Sequence, residues 1–149
     1  MVELTDTTID VQRLLNDAYR ADCGAVVLFL GTTRQWTGQL ETDHLVYEAY
    51  REMALGKLAE LEQSACQRWP VRYCSMVHRL GRVDIGEASV AVVVASPHRD
   101  AAFEAAKWLI DELKREVPIW KQEHWTSQTS SWIHPETPAS TKASPNNPS

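Results

Sequence analysis

The run ASVAVVVA, from Ala88 to Ala95, constrains the fold of this chain more than any other segment. β-Branched residues favour strands, and an uninterrupted apolar run of this length is typical of a strand buried on both faces. We therefore predict that it is a central strand of a sheet. The apolar segment 72–80 predicts a second strand, joined to the first through Gly81 to Gly86, so that the two form a hairpin.

Further strands and helices are predicted on both sides of this hairpin. Strand patterns cover residues 23–31, 44–50 and 119–125, and helical spacings of apolar residues cover 8–19 and 52–69. A third helix is predicted from Ser96, as its N-cap, and Pro97, as its first residue, to the residue before Pro118. Candidate core positions are Met53, Leu55, Leu58, Ala59, Leu61 and Cys66 in the second helix, and Ala102, Ala106, Leu109, Leu113 and Val117 in the third. This order predicts an α+β domain in which helices cover one face of a mainly antiparallel sheet.

Length and charge limit what such a domain can do. The chain has 149 residues, enough for one domain, and its 44% of apolar residues can form a core. Its net charge of −5 argues against a general nucleic-acid-binding surface, so any anionic ligand must be held by a local cluster of cations. The last residues, Pro135 to Ser149, contain four prolines and no large apolar side chain. We predict a folded domain over residues 1–134 and a disordered tail over 135–149.

The cysteine content and the N-terminal sequence indicate where the protein is located in the cell and whether it has a metal site. The three cysteines form no CxxC pair, which argues against a disulfide framework and a zinc site, and Cys66 and Cys74 are predicted to be packed thiols. No histidine pair has metal-ligand spacing, so neither a metal site nor a cofactor is predicted. No signal sequence or membrane-spanning run is found, and we expect a cytoplasmic protein that does not contact membranes.

Basic residues at the start of the third predicted helix are the first candidate site. Acidic side chains are preferred in a first helical turn, yet His98 and Arg99 are placed there. Two potential cations beside free backbone N–H groups can bind an anion. The alternative is that both are solvated or pair with Asp100 or Glu104.

Two lysines and one loop arginine complete the candidates. Lys114 and Lys121 lie on either side of Pro118, and they are either ordinary surface lysines or members of a cation cluster in which an amine becomes a nucleophile or general base. Arg34 follows a buried strand and two hydroxyl residues, Thr32 and Thr33. Its guanidinium could bind a phosphate or carboxylate, or it could pair with one of the chain's own carboxylates.

Five segments in this order resemble a known family, the large, catalytic subunit of molybdopterin synthase. They are FLGTTR (29–34), VYEAY (46–50), HRLG (78–81), ASPHRDAAFEA (95–105) and LKREVPIWKQE (113–123). The resemblance extends over about residues 23–132. It implies an α/β hammerhead-type domain with an additional β-rich part.

The resemblance also implies a reaction and partners. The family transfers sulfur from the C-terminal Gly-Gly thiocarboxylate of a small ubiquitin-like subunit to cyclic pyranopterin monophosphate, giving the dithiolene of molybdopterin. Two large subunits dimerise within a heterotetramer, and this sulfurtransferase activity belongs to molybdenum cofactor biosynthesis. The alternative function is a non-catalytic anion-binding or assembly module of the same fold.

The resemblance carries site roles to individual positions. Lys114 is the expected principal catalytic residue, and Lys121 is expected to assist it. The expected substrate-binding residues are Thr32, Thr33, Arg34, His98, Arg99, Lys114, Lys121, Gln122 and Glu123. Phe29 and the tryptophans near Lys121 are expected to form walls around the partner's tail.

Overall fold

The computed structural model describes residues 1–126 and 130–133. The predicted tail therefore lies outside the described residues. Within them the chain forms three helices and nine strands, in the following order. The elements are β1 (Val2–Thr5), α1 (Val11–Ala18), β2 (Ala25–Thr32), β3 (Trp36–Thr37), β4 (Leu40–Ala49), α2 (Arg51–Arg68), β5 (Tyr73–Arg79), β6 (Gly81–Asp84), β7 (Ala88–Ser96), α3 (Arg99–Glu116), β8 (Ile119–Trp125) and β9 (Ser130–Ile133). The α+β class is confirmed.

The first sheet has the order β1-β5-β7-β2, with β7 inside it as predicted. β7 pairs antiparallel with both β5 and β2, and only β1 runs parallel to its neighbour β5. The link between β5 and β7 is more than a hairpin turn, because residues 81–84 form β6 and pair with β4 in the second sheet. Gly81 has a φ of 80°, a backbone conformation that lets the chain turn from one sheet into the other.

Helices cover both faces of the first sheet, which corrects the prediction that they cover one. Alternate residues of β7 point to opposite faces. Val90, Val92 and Val94 pack in the core under α2 and α3, whereas Ala91 and Val93 pack in a second core with Leu14 and Ala18 of α1. The continuous apolar run in β7 is needed because neither of its faces meets water.

The second sheet contains β3, β4, β6, β8 and β9 and forms the additional β-rich part. β8 pairs antiparallel with β4, with Leu45 opposite Glu123 and Tyr47 opposite Lys121. This register places side chains of β4 and β8 beside the C-terminal end of α3. No helix among the described residues is long and apolar enough to cross a bilayer.

The predicted start of the third helix is wrong by two residues. α3 begins at Arg99 with His98 as N-cap, and no side chain caps it. Ser96 is instead the last residue of β7, where it pairs with Ala25 and its buried hydroxyl donates to the carbonyl of Pro70 at 3.2 Å. Pairing with β2 therefore makes Ser96, the predicted helix cap, the last residue of β7.

The core positions are right for α3 and partly wrong for α2. All five predicted positions around α3 are buried. In α2, four of the predicted core residues are exposed: Met53, Leu55, Ala59 and Cys66. The buried face instead consists of Ala54, Leu58, Leu61 and Ala65. Small alanines allow this helix to approach the sheet closely, while its larger Met53 and Leu55 side chains face outward.

Candidate active site

A cavity of about 520 Å³ opens where β2, β4, β7 and β8 meet the C-terminal end of α3. This volume is in the range of small-molecule sites. Its apolar walls are Leu45, Val90, Leu113, Val117 and Ile119. The expected walls, Phe29 and the tryptophans, are not among the lining residues described. Trp120 instead packs edge-on against Tyr50, with ring centroids 4.8 Å apart.

Three predicted cations line this cavity: Arg34, Lys114 and Lys121. Lys114 lies in the last turn of α3, and Lys121 lies in β8. The connection between these elements is short, with Val117 donating to the Leu113 carbonyl and Ile119 donating to the Val117 carbonyl. None of the three cations forms an ion pair or side-chain hydrogen bond with the described residues, so all are available to an anionic ligand.

The two lysines differ in their surroundings. Lys114 is exposed, whereas Lys121 is half-buried. Burial lowers the pKa of Lys121, and the positive charges of Lys114 and Arg34 lower it further against the opposing effect of Glu123. Lys121 therefore gives up its proton more readily than an ordinary surface lysine, as a general acid or base requires.

Glu123 is a buried carboxylate of the same cavity, only 4% exposed. Its Oε1 accepts hydrogen bonds from the hydroxyls of Thr37 at 2.9 Å and Thr42 at 2.8 Å. These bonds attach the β3–β4 segment to β8. The neighbouring Gln122 does not line the cavity, since successive side chains of a strand alternate, and its Oε1 lies 3.1 Å from Nε2 of His124.

The two predicted threonines are placed differently. Thr32 lines the cavity, whereas Thr33 is buried outside it. The backbone of Thr33 pairs with Glu87 and Gly86, and its Oγ1 has no partner among the described residues. Thr33 thus fixes the start of the Arg34 loop through its backbone.

His98 and Arg99 do not reach this cavity within one chain. Both are exposed at the N-terminal end of α3. From Arg99 to Lys114 the helix rises about 22 Å, at about 1.5 Å per residue. The structure therefore separates the predicted site into a cavity cluster and an exposed pair.

The cavity also contains three polar residues for which no role was predicted: Tyr47, His78 and Ser89. The Tyr47 hydroxyl is hydrogen-bonded to Ser89, whose own hydroxyl donates to the Gly31 carbonyl at 3.3 Å. His78 is only 5% exposed and packs edge-on against Tyr47 at 4.8 Å. The available signals were Tyr47 in the VYEAY segment, two residues after the apolar Leu45, and His78 in the HRLG segment, near the end of the buried strand β5.

The cavity offers cations, apolar walls and no thiol. Cys74 is buried elsewhere in the core, where burial raises the pKa of its thiol to about 12, and neither Cys23 nor Cys66 lines the cavity. Among the described residues, no group of three or more His, Cys, Asp or Glu side chains could hold a metal ion. The arrangement suits anion binding and proton transfer by amines.

Known proteins resemble this chain in sequence and in structure. The profile of the family described as MoaE protein matches residues 4–116. The molybdopterin synthase catalytic subunit of Bacillus subtilis (strain 168) is 40% identical over 131 residues, covering 88% of this chain and 83% of that protein. The Thermoplasma volcanium protein of the same name is 39% identical over 131 residues, covering 88% and 96%. The crystal structure of molybdopterin synthase from Staphylococcus aureus superposes with a TM-score of 0.84 at 37% identity, covering 88% of this chain and 95% of that one. On these matches, this chain belongs to the MoaE family.

Proposed function

We propose that this chain is the catalytic subunit of a molybdopterin synthase, a transferase of molybdenum cofactor biosynthesis, and that its cavity is the site of sulfur transfer. The donor is the C-terminal thiocarboxylate of a small ubiquitin-like subunit, and the acceptor is cyclic pyranopterin monophosphate. The observation that carries this proposal is the convergence of Arg34, Lys114 and Lys121, without protein partners among the described residues, on a cavity with apolar walls. Both ligands are anions, and such cations bind them.

The roles proposed for the lysines follow from their positions. Lys114, at the exposed edge of the cavity, acts on the thiocarboxylate carbonyl or exchanges a proton with it. Lys121, with its lowered pKa, positions the pterin and stabilises charge that develops during transfer. Arg34 and Thr32 bind the phosphate, and Glu123 holds the β3–β4 segment in place beside Lys121.

Sulfur must arrive with a ligand, because no described cysteine lines the cavity. A thiocarboxylated tail supplies it without any thiol of this chain. The proposed reaction takes place in the domain of residues 1–134, and residues 135–149 have no proposed role in it. A cytoplasmic location remains a prediction from the cysteine content.

His98 and Arg99 enter the proposal as residues of a second copy of the chain. About 22 Å of helix separates Arg99 from Lys114, too far for both to contact one small substrate. In the proposed homodimer at the centre of a heterotetramer, one protomer's helix start lies beside the other's cavity. Gln122 would act on the opposite face of β8 from the lysines, by holding His124.

The test is reconstitution with a thiocarboxylated small subunit and cyclic pyranopterin monophosphate. We expect dithiolene product, detected after conversion to a fluorescent pterin derivative, and no product when the small subunit ends in an ordinary carboxylate. Binding of both ligands without product would instead support the non-catalytic module. Absence of binding to either ligand would contradict both functions.

A further inference from the structure

Nε2 of His78 is a polar atom of the cavity that has no role in the proposed chemistry. The other ring nitrogen, Nδ1, lies 2.8 Å from the carbonyl oxygen of Arg79. A carbonyl can only accept a hydrogen bond, so Nδ1 carries the proton. In the neutral ring Nε2 is then a bare lone pair, able to accept a hydrogen bond.

Nε2 is open to the cavity. It has no hydrogen-bond partner among the described residues. The buried side-chain atoms without a partner in that part of the chain are Thr33 Oγ1 and Arg79 Nε, and Nε2 of His78 is not one of them. Nε2 is therefore unpaired and in part accessible. Because His78 is only 5% exposed and lines the cavity, we infer that Nε2 is accessible from the cavity.

The ring is held in a fixed orientation and stays uncharged. The bond to Arg79 and the edge-on contact with Tyr47 prevent its rotation, and Tyr47 is itself bonded to Ser89. Burial lowers the pKa of His78 to about 4, and the positive charge of Lys114 acts in the same direction, while the bond to the Arg79 carbonyl opposes both. At neutral pH the ring is an acceptor without charge.

The rest of the cavity makes such an acceptor useful. Arg34, Lys114 and Lys121 can only donate, and they attract the anionic parts of a ligand. A carboxylate at the position of His78 would repel those anions. A neutral nitrogen lone pair recognises N–H groups without opposing the negative charge nearby.

We propose that Nε2 of His78 accepts a hydrogen bond from a neutral N–H group of the ligand in this cavity and so orients that ligand against the lysines. The inference rests on the proposed function and adds a substrate-orienting residue to it. Two ligands carry such a donor: the heterocycle of the pterin, and the peptide backbone of the small subunit's Gly-Gly tail.

Binding measurements on three His78 variants test this inference. His78→Phe keeps the ring packing and removes the acceptor, whereas His78→Gln keeps an acceptor oxygen. Calorimetry gives the Kd of the cyclic pterin alone and of the small subunit alone. We expect His78→Phe to weaken one of them about 10-fold or more, the scale of a hydrogen bond lost at a buried site, and His78→Gln to restore most of it. The ligand that is weakened identifies the donor.

Unchanged Kd values for both ligands in His78→Phe, within about 2-fold, would overturn the inference. His78→Leu decides the case if the Phe variant does not fold, and His44→Phe, a histidine outside the cavity lining, is the matched control. The wild-type chain is assayed for dithiolene product in the same preparation. Failure of that assay contradicts the proposed function, whereas a productive wild type with an unaffected His78→Phe contradicts only the role of His78.

Discussion

The two ends of α3 carry similar residues in different surroundings. At its start, His98 and Arg99 are exposed and no side chain caps the helix. At its end, Lys114 meets Lys121 and Arg34 around a cavity with apolar walls. Residue type is therefore a poor guide to chemistry here. A cation becomes reactive where other segments desolvate it and where further cations face it.

The same contrast separates the two lysines of the cavity. Lys114 lies in the last turn of α3, near the negative end of the helix dipole, and it remains exposed. Lys121 comes from the next strand and is half-buried, so its pKa falls. The cavity thus contains an exposed amine from α3 and a half-buried amine from β8 that more readily becomes neutral.

Removing Lys114 should give the largest effect. We expect Lys114→Ala to lower the rate of dithiolene formation by about 100-fold or more, the scale of a lost acid, base or charge-stabilising group. Lys107→Ala is the matched control, because this lysine lies on the same helix, is exposed and pairs with Asp111. Single-turnover kinetics, with the large subunit in excess over the cyclic pterin, measures the difference. A Lys114→Ala rate within about 3-fold of the control would remove Lys114 from the mechanism and break the contrast between the two helix ends.

Mixing two inactive variants tests whether the helix ends meet across a dimer. If Arg99 of one protomer serves the cavity of the other, an equal mixture of Lys114→Ala and Arg99→Ala chains contains mixed dimers with one intact site. Such a mixture should regain about a quarter of wild-type activity after subunit exchange, as random pairing in a two-fold symmetric dimer requires. No recovery after verified exchange would place Arg99 outside the partner's site.

Local patterns predicted the three helices and five of the strands, because each was set by its own residues, whereas β1 and β3 were not predicted. The apolar face of α3 and the β-branched run of β7 follow from period and residue type alone. Ser96 and the 81–84 segment were assigned wrongly because sheet pairing extends β7 and creates β6. Strand pairing depends on distant segments and leaves no local signal.

The individual residues of the site could be predicted from local patterns, but their arrangement around one cavity could not. Arg34, Lys114 and Lys121 were identified one by one, and their convergence depends on how β2, α3 and β8 pack. His78 and Tyr47 were missed because a buried polar residue in a strand has no meaning until the cavity beside it is known. Thr33 was assigned to the ligand, although alternation along the chain turns its side chain into the protein.

Burial of the neutral His78 ring should make the stability of the fold depend on pH. The pKa of His78 is about 4 when folded, against about 6.5 when unfolded, so the unfolded chain binds the extra proton between these values. Its contribution to the free energy of unfolding is therefore present above pH 6.5 and falls as the pH drops towards 4, by at most about 3 kcal/mol.

Urea unfolding at several pH values measures this loss. We expect His78→Phe to show a shallower loss than wild type between pH 6.5 and 4.5, with any constant cost of the substitution appearing at every pH. His98→Phe, which changes an exposed histidine at the start of α3, is the control substitution. Equal slopes for all three proteins would contradict the burial of a neutral His78.

The smallest expected effects are shifts in the pKa of Lys121 caused by its neighbours. Burial is the main cause of its lowered pKa, so no single charge substitution should restore the ordinary value. Arg34→Gln removes a repelling positive charge and should raise the pKa of Lys121. Glu123→Gln removes a stabilising negative charge while keeping an acceptor for Thr37 and Thr42, and should lower it. NMR titration of labelled lysine side chains measures both shifts, with Lys107→Gln as a distant control. Shifts of the same sign in both variants would show that the charges around the cavity do not set the protonation of Lys121, and the contrast between the two lysines would then rest on burial alone.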